Sequence, residues 1–295
     1  MSCDSYRVNR RPRAKRPYGF FGSCTLPIAF LSFRADLKGV PVLEDGIDMA
    51  ALEKTVATHR GRIKFMYIIP TFQNPSGIRY SKAKREQVLA LAKAEDLIVV
   101  EDDPYRELYF EGGEEDFPAL KSMDRDGRVV YLGSFSKILA PGLRTGFVVA
   151  DRAIKDKLEL AKQSVDACSP FFCQVIAAEY LKRGFCAEYV AKMRGVYSAK
   201  CACMLKSLSA GLPECVSFTR PKGGFFIWLS LPPGLSAKKI FTLCVEKGVA
   251  FVTGAGFCVD GTADQRIRLS FSNSSIQEIE KGIDILCKEL KKEMA

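Results

Sequence analysis

This 295-residue sequence predicts an α/β fold with a mostly parallel sheet, followed by an α+β unit at the carboxyl end. There are three short apolar runs, at residues 65–69, 97–100 and 129–132, and helical periodicity between the first two gives the pattern of a βαβ unit. After about residue 208 the pattern changes, and short strand-like runs alternate with two amphipathic helices. Units of the first kind build parallel sheets whose faces are covered by helices.

Residues 81–94, between the first two apolar runs, have the pattern of an amphipathic crossover helix. Val88, Leu91 and Ala92 share one face, and Ser81 can cap the amino terminus. The opposite face carries the charged residues Lys82, Lys84, Arg85 and Lys93. We expect that charged face to be solvated and the apolar face to cover the sheet.

The remaining elements are predicted from the same two periodicities. They are a strand at 146–150, helices at 153–163, 170–182 and 187–208, strands at 216–218, 224–229 and 267–271, and helices at 237–247 and 276–291. Gly211 and Pro213 form a stop signal after the longest helix.

The run at residues 133–144 (GSFSKILAPGLR) places Lys137 between two hydroxyls, Ser134 and Ser136, with Arg144 just beyond. A lysine amine can form an imine with an aldehyde, while hydroxyls and a guanidinium can hold a phosphate dianion close by. The pattern therefore indicates a cofactor that carries an aldehyde and a phosphate. The alternative is a surface lysine in a loop of serine and glycine.

Two further polar motifs directly follow apolar runs, at residues 70–77 (PTFQNPSG) and 101–106 (EDDPYR). In an open parallel sheet, ligands bind at the carboxyl ends of the strands. Asn74, Asp102 and Tyr105 are therefore expected at the same sheet edge as the lysine. A pyridine-aldehyde cofactor needs such a set, since a carboxylate keeps its ring nitrogen protonated and other groups bind its phenolic oxygen. An ordinary turn and a capped loop are the alternatives.

In order and spacing the three motifs resemble those of class I/II aminotransferases, which use pyridoxal 5'-phosphate (PLP) and have the aspartate aminotransferase fold, fold type I. The branch that acts on 2-aminoadipate, kynurenine and aromatic amino acids is the most similar. The resemblance implies that Lys137 forms the imine and that Asp102 contacts the ring nitrogen. It further implies contacts to the phenolic oxygen from Asn74 and Tyr105, and to the phosphate from Ser134, Ser136 and Arg144.

Residues 266–271 (RIRLSF) resemble the family segment whose arginine binds the substrate α-carboxylate. The match falls on Arg268, and in the family Asn74 would also contact the substrate. A guanidinium suits this role because it pairs with a carboxylate through two hydrogen bonds. The alternative is a surface arginine on an edge strand. The glycines at 254 and 256 resemble a family loop near the pocket.

The implied activity is transfer of an amino group from an amino acid to a 2-oxo acid through a Lys137 Schiff base. Lys137 would also move the proton between the substrate and cofactor carbons. Donors of the 2-aminoadipate, kynurenine or aromatic type are expected, with alanine-type and cysteine-conjugate lyase activities left open. The alternative is a truncated, inactive paralogue or fragment that acts as a binding or dimerisation partner.

The resemblance begins near residue 27 and covers about the last two thirds of a family member. It divides the chain into an unmatched basic segment at 1–26, a partial large domain at 27–186 and a small domain at 187–295. The family's first strands, its glycine-rich phosphate turn and an aromatic that stacks on the cofactor have no counterpart before residue 27. Weaker cofactor binding and exposed apolar surface are expected as a result.

The amino-acid composition argues against several kinds of site and of protein. The eleven cysteines include no CxxC pair and His59 is the single histidine, so neither a metal site nor histidine-dependent catalysis is expected. No apolar stretch is long enough to span a bilayer. Part of the net charge of +10 is concentrated in six basic residues between positions 7 and 16.

That basic segment leaves three interpretations open. It could be a solvated extension, a mitochondrial or plastid targeting segment, or a polyanion-binding tail. Nucleic-acid binding is not expected, because the segment is too short for a winged-helix domain. We expect a cytoplasmic homodimer, with an organelle as the alternative location.

Overall fold

A six-stranded sheet forms the centre of the first part of the chain. The computed structural model describes the backbone of residues 18–22 and all atoms of residues 35–257 and 264–294. The basic residues between positions 7 and 16 and the expected start of the resemblance near residue 27 lie outside the described residues.

The strands of the first part include those that the three apolar runs predicted. They are β1 Tyr18–Gly22, β2 Asp36–Val40, a hairpin of β3 Val42–Leu43 and β4 Gly46–Ile47, β5 Ile63–Ile68, β6 Ile98–Asp102, β7 Val129–Ser134 and β8 Gly146–Val149. The sheet has the order β2-β1-β5-β6-β7-β8. Its pairs are parallel except that β8 runs antiparallel to β7, so the prediction of a mostly parallel sheet is confirmed.

Strand β1 lies in the segment where the sequence predicted no counterpart to the family's first strands. That expectation is wrong for Tyr18–Gly22, which pairs with β2 on one side and β5 on the other. A five-residue run with two glycines, Gly19 and Gly22, has weak local strand character. Its pairing with two strands that are distant in sequence is a tertiary effect.

The helices and the second-sheet strands that the sequence predicted agree with the structure to within a few residues at each end, whereas the elements at residues 49–58, 120–123 and 252–253 were not predicted. The helices are α1 Met49–Thr58, α2 Lys82–Ala94, α3 Leu120–Met123, α4 Arg152–Asp166, α5 Phe171–Lys182, α6 Phe185–Gly211, α7 Ala237–Val245 and α8 Ile276–Met294. The strands of the second part are β9 Ser217–Phe218, β10 Phe226–Ser230, β11 Val252–Thr253 and β12 Arg266–Ser270. They form an antiparallel sheet in the order β11-β12-β10-β9.

Two main hydrophobic cores are present in the described parts of the chain. One packs α1 and α2 on a face of the large sheet, with Leu52, Val88 and Val99 fully buried. The other packs α6, α7 and α8 on the antiparallel sheet and also includes Phe72 and Leu108 from the first part. The domain division at residues 186 and 187 stays a prediction.

Helix α2 starts as predicted but corrects one expectation. The backbone amide of Lys84 donates to the Ser81 hydroxyl at 3.2 Å, which confirms the N-cap. Arg85, however, is fully buried, so its predicted place on the solvated face is wrong. At 100° per residue, position 85 shares the helix face of Val88 and Ala92, and that periodicity was the signal for its burial.

The edge of the large sheet that β8 forms is exposed. Phe147, Val148 and Val149 of β8 are each about 46 or 47% exposed, although alternate residues of a strand face opposite sides. Phe171 and Phe172 at the start of α5 are 77 and 74% exposed. The expectation of exposed apolar surface is therefore confirmed in this region. Among the described residues, no helix is long and apolar enough to cross a membrane.

Candidate functional site

The end of β6 sends neighbouring carboxylates to opposite faces of the sheet. Glu101 and Asp103 are buried on the face that α2 covers. Asp102 lies on the other face, where the Tyr67 hydroxyl of β5 donates a hydrogen bond to its Oδ2. This alternation supports Asp102, rather than Asp103, as the carboxylate that is accessible to a ligand.

The environment of Asp102 is less polar than water but keeps its charge near neutral pH. Burial is the largest influence and raises the pKa of Asp102 to about 6. The hydrogen bond from Tyr67 lowers the pKa, and the neighbouring charge of Asp103 raises it again. A pKa of about 6 leaves most of the carboxyl group ionised at pH 7.

The loop after β5 is folded tightly, so that Asn74 meets a residue of the second sheet. Gln73 and Ile78 share a backbone hydrogen bond of 2.9 Å across the loop. Gly77 has a φ of +69°, and a Cβ there would lie 2.6 Å from the Phe226 carbonyl oxygen, so only glycine fits. The contact brings Asn74 to Arg268, whose Nη1 donates to Asn74 Oδ1 at 2.7 Å.

Arg268 does not lie on an edge strand. Its strand β12 has β10 on one side and β11 on the other, so the alternative interpretation as an edge-strand surface arginine is wrong. The guanidinium carbon lies 4.4 Å from the ring centroid of Phe226 and 5.0 Å from that of Phe257. Its Nε is buried and has no hydrogen-bond partner within the described ranges.

Tyr105 lies beside this guanidinium in the same aromatic environment. Its side chain is 5% exposed, and its ring packs edge-on to Phe225 and Phe226 at centroid distances of 5.6 and 5.7 Å. Burial lowers the pKa of Arg268, while the nearby Tyr105 raises it. Asn74, Tyr105 and Arg268 therefore form one continuous group.

Lys137 lies in a turn that directly continues β7. The amide of Leu139 donates to the Phe135 carbonyl at 2.8 Å, and the amide of Ser136 donates to the Ser134 hydroxyl at 3.2 Å. Phe135 anchors this turn in a small buried cluster. Lys137 is half-buried between these anchors.

Lys137 lies close enough to Arg268, a member of the group with Asn74 and Tyr105, to interact with its charge. Burial lowers the pKa of Lys137 most, and the nearby cations Arg144 and Arg268 lower it further. A lysine that is desolvated and next to cations becomes a neutral nucleophile at a lower pH than a free lysine. The three motifs and Arg268 are thus brought together at one place.

Arg144 is the least enclosed of the predicted site residues. Its backbone is left-handed, with φ 51° and ψ 38°, and its side chain is exposed. Its Nη1 donates to the Pro141 carbonyl at 3.1 Å. Ser134 and Ser136 are half-buried on the same turn. These three residues could hold a phosphate, but they form an open surface rather than a closed cup.

Beneath the site, Arg85 holds the loop that carries Asn74. Its Nη2 donates to the Pro70 carbonyl at 2.8 Å and to Thr71 Oγ1 at 3.0 Å. The same guanidinium donates to the carbonyls of Tyr80 at 3.2 Å and Pro118 at 3.3 Å. One arginine thereby fixes both ends of the Asn74 loop. We call these contacts the Arg85 clamp.

Glu101 belongs to the same buried layer, and no sequence motif predicted a role for it. Its carboxylate accepts hydrogen bonds from the backbone amides of Leu120 and Lys121, both at 2.9 Å, and lies 3.8 Å from Arg85 Nη1. Burial, followed by the charge of Asp103, raises the pKa of Glu101 to about 7. Burial also lowers the pKa of Arg85 to about 10.

The residues present fit the cofactor that the sequence resemblance implies. Asp102 offers a carboxylate to a ring nitrogen, and Lys137 offers an amine with a lowered pKa to an aldehyde. The buried Nε of Arg268 without a partner is suited to a substrate carboxylate. Within residues 35–257 and 264–294, no group of three or more His, Cys, Asp or Glu side chains could hold a metal ion.

Comparison with known proteins identifies the family. Residues 34–286 match the family model described as aminotransferase class I and II. The chain is 42% identical over 255 residues to a 2-aminoadipate transaminase of Thermus thermophilus, covering 85% of this chain and 63% of that protein. It is 38% identical over 269 residues to aromatic-amino-acid aminotransferase 1 of Thermococcus litoralis, covering 90% of this chain and 64% of that protein.

A solved structure gives the same result for the fold. The kynurenine aminotransferase of Pyrococcus horikoshii, in a complex that includes PMP and kynurenine, superposes with a TM-score of 0.91 at 35% identity. The alignment covers 95% of this chain and 70% of that one. The chain therefore spans somewhat less than two thirds of the length of the two relatives named above.

Proposed function

The chain belongs to the class I and II aminotransferases and has their PLP-dependent fold type I, and from that premise we propose that it transfers an amino group from an amino acid to a 2-oxo acid. The donor class is proposed to be 2-aminoadipate, kynurenine or an aromatic amino acid, because the relatives with these names share 35 to 42% of its residues. One observation carries the proposal, namely the convergence of Lys137 with Arg268 and Asn74.

When bound, PLP supplies an aldehyde and a protonated ring that stabilises negative charge at the substrate α-carbon. Asp102 would keep the proton on the ring nitrogen, since a carboxylate within hydrogen-bond reach favours the charged form. Asn74 and Tyr105 would bind the phenolic oxygen. Ser134, Ser136 and Arg144 would bind the phosphate through charge-assisted hydrogen bonds.

Two residues of the chain act on the substrate in this proposal. Arg268 would bind the α-carboxylate, and the stacked rings of Phe226 and Phe257 hold its guanidinium in place for that contact. Lys137 would take the proton from the substrate α-carbon and return one on the cofactor side. Its lowered pKa favours the neutral amine that proton removal requires.

The exposed strand β8 and the two exposed phenylalanines of α5 bear on the oligomeric state. Apolar surface of this kind is normally covered by another part of an assembly. We include a homodimer in the proposal, and light scattering at several protein concentrations tests it. A strictly monomeric chain would count against this part alone.

The test of the activity is direct. Purified chain mixed with PLP should develop a visible band that changes when an amino acid is added, and borohydride reduction followed by peptide mass mapping should place the pyridoxyl group on Lys137. Lys137→Ala should lose the band and Lys162→Ala, at an exposed lysine, should keep it. A pyridoxyl group on another lysine, with Lys137 unmodified, would reject the assignment.

An inactive chain that serves as a binding or dimerisation partner is the second candidate. The exposed residues of β8 and the open arrangement around Arg144 favour it. The same spectrum separates the two candidates. A stable dimer with no cofactor band at any PLP concentration would support the partner role.

A further inference from the structure

Tyr67 is a buried polar residue at the site that none of the roles above uses. Its side chain is 1% exposed and packs with Ile69, Leu37, Phe65 and Val100. A phenol hydroxyl in such surroundings needs a hydrogen-bond partner, because burial without one is costly. Its hydroxyl donates to Oδ2 of Asp102.

The strand geometry explains why these two residues meet. Strands β5 and β6 are parallel neighbours, and Tyr67 pairs in register with Val100. Asp102 follows Val100 by two residues and therefore lies on the same face of the sheet. The long tyrosine ring spans that step, since two residues of a strand advance by roughly 6–7 Å.

We propose that Tyr67 is a positioning residue, which holds Asp102 ionised and oriented toward the cofactor ring nitrogen; the inference rests on the proposed function. A carboxylate has two oxygens, so one can accept from the phenol while the other accepts from the ring. The phenol stabilises the ionised form only, because a hydrogen-bond donor binds the anion better than the neutral acid.

The other groups around Asp102 do not provide this effect. Burial and the adjacent charge of Asp103 both raise the pKa of Asp102, and the hydrogen bond from Tyr67 is what lowers it. On the β7 side the residue opposite in register is Leu132, which carries no charge. Among the described residues, Tyr67 is therefore the group that favours the ionised form of Asp102.

The experiment measures PLP binding by equilibrium dialysis as a function of pH. Affinity should fall as the pH drops through the pKa of Asp102, since the ring proton needs the anion. In Tyr67→Phe that fall should move to higher pH by about one unit, so that binding should be about tenfold weaker at pH 5 and only about twofold weaker at pH 7. Above pH 8 the two proteins should bind within about twofold of each other. A merely structural defect would weaken binding equally at every pH.

Tyr80→Phe is the matched control. Tyr80 is also fully buried, but its hydroxyl has no hydrogen-bond partner within the described residues. Its variant should follow the wild-type profile. If Tyr67→Phe does not fold, 3-fluorotyrosine at position 67 keeps the shape, strengthens the donor and should move the fall to lower pH.

The outcomes separate this inference from the activity. Wild-type binding with an identical profile in Tyr67→Phe or in the fluorinated protein would overturn the role of Tyr67 alone. A uniform loss of affinity at all pH values would do the same. A wild-type chain that binds no PLP would overturn the proposed function, and this inference with it.

Discussion

The two halves of the candidate site differ in how firmly the protein holds them. The inner half consists of the loops at residues 70–80 and 102–108, whose side chains are mostly buried, and the Arg85 clamp holds both ends of the first loop. The outer half consists of the turn at residues 134–145 together with β8, where Lys137 is half-buried and Arg144 is exposed. The groups proposed to bind the cofactor ring thus belong to the inner half, and the groups proposed to bind its phosphate belong to the outer half.

This difference predicts that the inner half contributes mainly to the stability of the fold and the outer half mainly to the chemistry. Buried, hydrogen-bonded groups of the inner half contribute to folding, because removing one leaves its partners without water or protein contacts. Groups of the outer half can lose their function with little effect on folding, because solvent replaces their contacts. The changes below test that division, from the largest expected effect to the smallest.

Lys137→Ala should remove chemistry from the outer half and leave the fold intact. We expect transamination to fall by about 10⁴-fold, because the side chain that moves the proton is lost. The free energy of unfolding in urea should change by less than about 0.5 kcal/mol. Steady-state kinetics and denaturation of the same preparation check both parts. A large loss of stability would contradict the division between the halves.

Arg85→Met should do the opposite in the inner half. The change removes the ion-pair partner of Glu101, which keeps its two backbone amides, and one donor from each of three carbonyl groups, at an expected cost of about 3–5 kcal/mol. Lys82→Met, at an exposed position of the same helix, is the control and should cost less than about 0.5 kcal/mol. Equal costs in the two variants would show that the Arg85 clamp contributes little.

Glu101→Gln tests whether the buried layer makes stability depend on pH. A carboxyl whose folded pKa is raised to about 7 favours folding below its unfolded pKa, and this contribution is lost as the pH rises through 7. Wild-type stability should therefore fall between about pH 5 and pH 7, by on the order of 2–3 kcal/mol from this group. The variant should show a smaller slope in urea titrations at these pH values. If the unfolding free energy of the variant depends on pH as steeply as that of the wild type, Glu101 is not the source of the pH dependence.

Arg268→Lys tests the contact between the second sheet and the inner half. The charge remains, but the bidentate geometry and the stacking on Phe226 are lost. We expect KM to rise by about 10–100-fold for every amino donor, with a smaller change in kcat. A rise in KM confined to acidic donors would mean that Arg268 binds the side chain of the donor rather than its α-carboxylate.

The pair Val99→Thr and Val148→Thr gives the smallest effect and compares the two strands directly. Val99 in β6 is fully buried and Val148 in β8 is 47% exposed. The hydroxyl should cost about 1–3 kcal/mol at position 99 and less than about 0.5 kcal/mol at position 148. Urea denaturation measures both. A comparable loss at position 148 would mean that another part of an assembly covers β8.

The sequence by itself determined the chemistry and its order along the chain. Asn74, Asp102 and Lys137 each follow an apolar run, and the carboxyl ends of neighbouring strands meet at one sheet edge. Because strand formation and the polar motif after it are local features, their convergence could be predicted without coordinates. The α/β class follows from periodicity in the same way.

Only the tertiary structure decided how the groups are held. Asn74 and Arg268 are 194 positions apart, and Tyr67 and Asp102 are 35 apart, so no local pattern shows their hydrogen bonds. Arg85 looked like one of several surface cations, and β1 like part of a basic segment. Their burial and pairing depend on which distant elements pack against them, and this is a property of the assembled fold, beyond the reach of any sequence window.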